Sequence, residues 1–282
     1  MSRNLVARIA VAIVAIPVIL WICYRGGIWL FGMVLLFALV GAVEFLLNEG
    51  LRPRGLLFWL SLLGVGLLLA TRYRPATEAA GILRDDTLPV MIALFLVTGM
   101  VLATGRLSPP ELFRRHGRLM WGMLYIGLLY PCVYLVGAEL GRPATPFAGG
   151  DLLLFLFGLL WVGDTAAMGT GKWLGRHKLA PSVSPNKTIE GFIGGLAGAL
   201  AIGVVMHFWR LPQLALVHVL SLALGCSVFG QLGDLVESMW KRSLQIKDSS
   251  SIIPGHGGVL DRFDSLLFAA PFMYYYLRIV VL

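Results

Sequence analysis

Nine long apolar runs constrain the fold of this 282-residue chain more than any other feature. A helix crosses the hydrocarbon core of a bilayer with roughly 20 mostly apolar residues, within a range of about 17–25. The composition agrees, since 58% of the residues are hydrophobic and only 13% are charged. The pattern therefore predicts an all-α, polytopic integral membrane protein. The predicted spans are 5–24, 28–47, 56–71, 87–104, 119–139, 150–170, 189–208, 212–236 and 264–282.

The first run follows Arg3 and Arg8, as in a signal peptide, but no small-x-small cleavage site comes after it. We therefore expect it to be the first span. We divide the chain into an N-terminal membrane region of about five spans, 1–148, and a C-terminal catalytic membrane region of about four spans, 149–282. No fixed-period repeat is present, so the inverted-repeat design of many transporters is not supported.

The distribution of basic residues predicts the orientation. With nine spans, 16 of the 23 lysines and arginines lie on the side of the N-terminus. Because positive residues gather on the cytoplasmic side, the N-terminus is predicted to be cytoplasmic. The loops around 171–188 and 237–263 then face the cytoplasm too. The net charge of +8 is explained by this bias and by anionic lipid heads, and nucleic acid is not an expected partner.

The stretch 231–264 carries nine charged residues in 34 positions. An ionisable group left in lipid costs about 2.5–3.5 kcal/mol at the membrane centre, so this density calls for a function. Carboxylates hold divalent cations, and Lys and Arg hold phosphates. The stretch thus predicts a phosphate-handling metal site at a membrane face. Its acids are Asp234, Glu237, Asp248, Asp261 and Asp264, and its bases are Lys241, Arg242, Lys247 and Arg262.

The spacing at the end of the eighth span adds a geometric expectation. If the helix continues, Asp234, Glu237, Ser238 and Lys241 fall at i, i+3, i+4 and i+7 and share one face. This stripe is either part of a site or a solvated helix end with an ion pair. For Glu237 both interpretations stay open.

Three glycines surround His256 in the segment 254–258. Gly255, Gly257 and Gly258 can adopt positive φ and expose backbone N–H groups, which suits an anion nest. An ordinary tight turn is the alternative. His256 could bind phosphate, ligate a metal or hydrogen-bond the loop, and the sequence does not choose.

Asp261 and Asp264 stand at i and i+3 where the last span opens. Acids near a helix N-terminus also serve as caps, which is the alternative for Asp264. Asp234 and Asp261 come from two segments and could clamp one divalent ion between helices. Because the ligands are oxygens, Mg²⁺ fits better than Zn²⁺.

A second polar cluster belongs to the sixth span and its loop. Asp164 lies within a predicted span, where an acid is a functional candidate. Ser184, Lys187 and Thr188 precede an apolar helix and offer hydroxyls, a cation and a helix N-terminus to a phosphate. A helix cap is the alternative for Thr188, but Lys187 has no part in a cap. Glu44 in the second span is interpreted as a buried packing partner.

With these residues in view, the chain resembles the phosphatidate cytidylyltransferases, or CDP-diacylglycerol synthases. The family signature is a long and specific pattern of polar anchors, and it is complete here between Ser238 and Asp264. The segments Asp164-Thr165-Ala166 and Ser184 to Thr188 are similar to the family as well. The resemblance covers the C-terminal half, whereas 1–150 matches only as generic spans. Trp240 and Met168 depart from the usual residue types, and neither change removes a charge.

The resemblance implies transfer of CMP from CTP to phosphatidic acid, releasing pyrophosphate and making CDP-diacylglycerol. It implies a helical homodimer among the lipids of a bacterial-type inner membrane, with a cytoplasmic catalytic face and Mg²⁺, and K⁺ as a second candidate ion. We expect catalytic roles for Asp234, Asp261, Lys241, Lys247 and Asp248, and metal binding by Asp234, Asp261, Asp164 and Asp264. We expect substrate binding by Ser184, Lys187, Thr188, Ser238, Arg242, His256, Gly257, Gly258 and Arg262.

Three other activities are alternatives to CMP transfer. A CTP-dependent lipid kinase would move the γ-phosphate to a polyprenol or phytol and leave CDP. A CDP-alcohol phosphotransferase needs the motif D-x2-D-G-x2-A-R, which is absent from the sequence. A transporter or channel predicts charges spread over several spans with repeat symmetry, whereas here they concentrate in loop motifs on one predicted face.

Overall fold

The computed structural model describes residues 3–73, 108–141, 145–253 and 257–282, with side chains from residue 13 onward. The predicted span 87–104 and His256 lie outside the described residues. The described residues are mostly helical. Their helices are α1 (Arg3–Arg25), α2 (Gly27–Asn48), α3 (Leu56–Ala70), α4 (Pro109–Ala138), α5 (Gly149–Leu174), α6 (Ile189–Trp209), α7 (Leu216–Ser243) and α8 (Leu260–Tyr276), and a π-helical turn follows at Leu277–Val281.

The helix lengths support a membrane protein. In the described part, α2, α4, α5, α6 and α7 are long and apolar enough to cross a bilayer. Helices α3 and α8 are shorter, with 15 and 17 residues. The predicted all-α membrane fold is confirmed at this level, and the count of nine spans stays a prediction.

Helices α4 and α7 extend furthest beyond their predicted apolar runs. Helix α4 begins at Pro109, ten residues before the predicted 119, with Pro at its start and Glu111 in its first turn. Both are favourable at a helix N-terminus, so hydropathy alone missed a polar first section. Helix α7 continues to Ser243 rather than ending near 236. Its added turns carry Glu237, Ser238 and Lys241 of the predicted polar stripe.

A short hairpin, which the sequence did not predict, joins α5 to α6. Strand β1 (Lys178–Ala180) pairs antiparallel with β2 (Ser184–Thr188). The Glu190 carboxylate ties the hairpin to α6, since it accepts from the His177 backbone N–H at 3.2 Å and lies 2.6 Å from its Nδ1. Thr188 caps α6 by accepting from the Gly191 N–H at 3.0 Å. The cap considered for Thr188 is therefore present.

Small residues allow close helix packing around the polar stripe. A Cβ on Gly233 in α7 would lie 2.5 Å from the Asp264 carbonyl oxygen of α8. A Cβ on Gly122 in α4 would lie 2.1 Å from the Phe45 ring of α2. These approaches bring the start of α8 against α7 and the C-terminal half of α2 against α4.

Candidate active site

Lys241 and Asp261 form the centre of the site. The Lys241 Nζ of α7 lies 2.6 Å from the Asp261 Oδ1 at the start of α8, although 20 residues separate them in sequence. Their side chains are only 12% and 5% exposed. The attraction within such a buried pair offsets the cost of desolvating both charges only when each partner also has other hydrogen bonds.

The second Asp261 oxygen, Oδ2, lies within hydrogen-bond distance of three further donors. The Ser249 N–H donates at 2.8 Å, the Gly258 N–H at 2.8 Å, and the Ser249 hydroxyl lies at 2.9 Å. Both oxygens of this carboxylate are therefore engaged. Its orientation is set by Ser249 and Gly258, which belong to the loop between α7 and α8 (244–259, the signature loop).

Glu237 is not a solvated helix end. Its side chain is 0% exposed, and its Oε1 lies 3.1 Å from the Lys241 Nζ. Helix α7 therefore presents Lys241 between two carboxylates, one from its own previous turn and one from α8. The predicted stripe is confirmed, and its inner acid is a buried counter-ion for Lys241.

The two polar clusters predicted from the sequence meet at Asp234. The Lys187 Nζ of β2 lies 2.7 Å from the Asp234 Oδ2, and the Ser238 hydroxyl lies 3.3 Å from the Oδ1. Ser184 pairs with Ala180 within the same hairpin and is partly buried. The hairpin thus delivers a cation to the polar face of α7.

Arg242 is a second link between α7 and the hairpin. Its Nε donates to the Val183 carbonyl at 3.2 Å, and one terminal nitrogen donates to the Ile246 carbonyl at 3.3 Å. Lys247, Asp248 and Arg262 are exposed. Within the described part of the chain, Lys247 and Arg262 form no ion pair, so their charges face solvent.

Asp164 and Asp264 complete a group of carboxylates around Asp234. Asp164 of α5 is exposed and interacts electrostatically with Asp234 and Lys187, and Asp264 interacts with both of the other acids. The cap considered for Asp264 is wrong, because α8 begins at Leu260 with Val259 at its N-cap position, and the Asp264 Oδ1 accepts from the next N–H, that of Ser265, at 2.6 Å. Among described residues, Asp164 has no ion pair or hydrogen bond, which leaves its oxygens open.

Gly257 and Gly258 stand at positions with no space for a side chain. Gly257 has φ +82°, a conformation that favours glycine, and its Cβ would lie 2.8 Å from the Asp261 Oδ2. A Cβ on Gly258 would lie 2.0 Å from the Ser249 hydroxyl oxygen and 2.7 Å from the Glu44 carboxylate. Both glycines are thus needed for the approach of the loop to Asp261.

Sequence reasoning underrated Glu44 and passed over Ser249. Glu44 of α2 accepts hydrogen bonds from the Ser249 and Ser250 hydroxyls and from two N–H groups at the start of α8. Trp240, which departs from the family pattern, donates to Glu49 at 3.1 Å and stacks on Phe45. The signal in the sequence that could have found Glu44 is its place inside an apolar run. An acid there is costly unless it has hydrogen-bond or ionic partners.

A magnesium ion at this site would need oxygen ligands from the described acids. Among the described residues, no three His, Cys, Asp or Glu side chains form a ready metal site. Mg²⁺ usually takes one or two carboxylates together with waters and substrate phosphates, so a complete protein cage is not required. The open oxygens of Asp164, near Asp234, fit this chemistry.

Comparison with known proteins supports the resemblance. The model of the Cytidylyltransferase family matches residues 6–280. A protein of Staphylococcus saprophyticus named phosphatidate cytidylyltransferase is 34% identical over 268 residues, covering 94% of this chain and 96% of the relative. A protein of Bacillus subtilis with the same name is 36% identical over 215 residues, covering 76% of this chain and 78% of the relative. The chain therefore belongs to the cytidylyltransferase family.

Proposed function

We propose that this chain transfers CMP from CTP to phosphatidic acid, giving CDP-diacylglycerol and pyrophosphate for phospholipid biosynthesis. Family membership and the names of the relatives support this activity. The observation that carries it is the contact of Lys241 with Asp261 at 2.6 Å, which closes the two ends of the signature onto one another.

The reaction needs positioning more than a strong base. A phosphate oxygen of phosphatidic acid, already anionic, attacks the α-phosphorus of CTP and forms the new P–O bond. The bond from the α-phosphorus to the oxygen that bridges to the β-phosphate breaks, and pyrophosphate leaves with that electron pair. Groups held in line and fixed positive charges around the phosphates lower such a barrier.

The cations divide into two kinds by their surroundings. Lys247 and Arg262 face solvent without ion pairs to described residues, so we assign them to the phosphates of the substrates. Lys241 and Lys187 are each bound to a carboxylate, so they also orient the acids. Arg242 binds the hairpin and can turn to a phosphate at the same edge. The remaining substrate contacts are assigned to Ser184, Thr188, Ser238, His256, Gly257 and Gly258.

The acids are the candidate metal ligands. Asp234 and Asp261 would hold Mg²⁺, with Asp164 and Asp264 as further oxygen ligands or as ligands of K⁺. Because Lys187 and Lys241 now bind the Asp234 and Asp261 carboxylates, the ion would have to replace these lysines there, whereas the Asp164 oxygens have no such partner among the described residues. When bound, Mg²⁺ would neutralise charge that develops on the pyrophosphate. We expect chelation by EDTA to abolish CMP transfer and excess Mg²⁺ to restore it.

The finer points of topology belong to the same proposal. The chain has nine spans with a cytoplasmic N-terminus, the regions 1–148 and 149–282, and a catalytic face on the cytoplasmic side of a bacterial inner membrane. It forms a homodimer. Labelling of single cysteines placed in the loops near 52 and 247 from the cytoplasmic side only, and chemical crosslinking in the membrane, would test these points.

The direct test uses purified protein in detergent with phosphatidic acid, Mg²⁺ and CTP labelled at one phosphate. Label at the α-phosphate should appear in the lipid, and label at the γ-phosphate should appear in pyrophosphate. Transfer of the γ label to lipid would instead identify a lipid kinase. Ion flux into liposomes without CTP would revive a transporter.

Asp261→Asn tests the proposed site. The amide removes the charge that Lys241 faces and turns one N–H₂ group toward donors, so turnover should fall below detection while the protein still folds. Arg278→Gln, which removes a charge from the π-helical turn after α8, is the matched control. Mg²⁺-dependent activity at the wild-type level in Asp261→Asn would disprove the assignment.

A further inference from the structure

Glu44 lies inside the apolar helix α2, yet its carboxylate is saturated by a distant part of the chain. Its side chain is 2% exposed. The Oε1 accepts from the Ser250 hydroxyl at 2.6 Å and the Val259 N–H at 2.9 Å. The Oε2 accepts from the Leu260 N–H at 3.0 Å and lies 3.1 Å from the Ser249 hydroxyl.

These contacts reach both sides of the signature loop. Ser249 and Ser250 precede the glycine-rich segment 254–258 of this loop. Val259 and Leu260 follow that segment, and Leu260 is the first residue of α8. The first N–H groups of a helix have no partner within the helix, and an acceptor with negative charge is the favourable one. Glu44 therefore closes the base of the loop and caps α8 from another helix.

Ser249 connects Glu44 to Asp261. Its hydroxyl oxygen lies 3.1 Å from the Glu44 Oε2 and 2.9 Å from the Asp261 Oδ2. A hydroxyl carries one proton, so it donates to one carboxylate at a time while the Ser249 N–H holds Asp261 at 2.8 Å. A shift of the loop relative to Glu44 would therefore move the donors of Asp261.

Helix α2 supports the same loop a second time. The Asn48 Nδ2, one turn after Glu44, donates to the Ser249 carbonyl at 2.7 Å and to the Glu44 carbonyl at 2.9 Å. The backbone and the side chain of Ser249 are thus both held by α2, a helix of the region that the signature does not cover.

We propose that Glu44 is a positioning residue for the cytidylyl-transfer site, which fixes the signature loop and the first turn of α8 so that Asp261 faces Lys241. The inference rests on the proposed function. Glutamine cannot replace Glu44, because either orientation of its amide points an N–H₂ group at the Val259 or the Leu260 N–H.

The experiment compares Glu44→Gln with Glu49→Gln in the purified full chain. Glu49 is the matched control, since it is a buried acid of the same region that binds Trp240 and Arg118 instead of the loop. For Glu44→Gln, kcat per folded enzyme should fall at least about tenfold, while KM for CTP changes less than about threefold. Glu49→Gln should keep kcat within about twofold of the wild type.

Hydrogen exchange followed by mass spectrometry gives a readout that needs no substrate. In Glu44→Gln, amides of the peptide spanning 257–262 should exchange faster than in the wild type, while peptides of α5 stay unchanged. Unchanged exchange at 257–262 would overturn the proposal. The wild type could lack CMP transfer while Glu44→Gln still shows faster exchange at 257–262. That result would refute the proposed function and leave the role of Glu44 in holding the loop intact.

Ser249→Ala tests the link from its other end. It should lower kcat with little change in thermal stability, and the double variant with Glu44→Gln should lose less activity than the product of the two single effects. Wild-type kcat in Ser249→Ala, or strictly multiplicative losses in the double variant, would overturn the link through Ser249. This variant keeps the test open if Glu44→Gln does not fold.

Discussion

Replacement of Lys241 by Met should destabilise the protein as well as inactivate it. Lys241 is 12% exposed and lies 3.1 Å from Glu237 and 2.6 Å from Asp261. Met keeps the length of the side chain but removes the only cation that the described structure places against the buried Glu237. Two buried carboxylates would then remain without it.

The magnitude follows from the burial of both partners. Breaking a buried ion pair by removing one partner costs about 3–5 kcal/mol. For a chain of this size, about 1 kcal/mol corresponds to a shift in Tm of roughly 2–4 °C, so Lys241→Met should unfold about 6–20 °C below the wild type. Lys241→Arg keeps the charge and should unfold closer to the wild type.

Buried thiols provide the assay. Cys23, Cys132 and Cys226 are all free and buried, so a dye that becomes fluorescent on reaction with thiols reports unfolding in detergent. Adding Glu237→Gln to Lys241→Met removes one of the abandoned charges and should recover part of the lost Tm. A Lys241→Met protein that unfolds within about 2 °C of the wild type would refute the reasoning, since that shift is below about 1 kcal/mol.

Three further substitutions test separate contacts. Gly258→Ala places a Cβ 2.0 Å from the Ser249 oxygen, so the loop has to move at a cost of about 1–3 kcal/mol. This movement should lower the rate of CMP transfer at least about fivefold. Trp240→Phe keeps the stacking but removes the hydrogen bond to Glu49, so the thiol assay should show a loss of about 1–3 kcal/mol. Thr188→Ala removes the cap of α6 and should cost about 0.5–2 kcal/mol in the same assay.

Each of these has an outcome that contradicts it. Full activity of Gly258→Ala would mean that the loop has room which the distances exclude. A Trp240→Phe or Thr188→Ala protein with wild-type Tm would mean that the hydrogen bond concerned adds no stability. Thr188→Ser keeps the capping oxygen and is the matched control for Thr188→Ala.

The sequence predicted the helical character of the chain and its family. Apolar runs of membrane length predict helices, because the backbone N–H and C=O groups of a segment in lipid have no water to bind. A helix pairs these groups with each other. The helical spacing in the sequence predicts one shared face for Asp234, Glu237, Ser238 and Lys241. The signature from Ser238 to Asp264 pointed to phosphates and to the family. These conclusions depend on local pattern and residue type, which one chain displays directly.

Tertiary structure alone decided which charges are partners. Nothing in the order of residues pairs Lys241 with Asp261 or Lys187 with Asp234, because these contacts join helices and a hairpin that meet only in the folded bundle. Glu44 is the clearest case: in sequence it is one acid in an apolar run, and in the fold it organises a loop some 205–216 residues away. A buried charge has to find its donors somewhere, but packing decides where they lie.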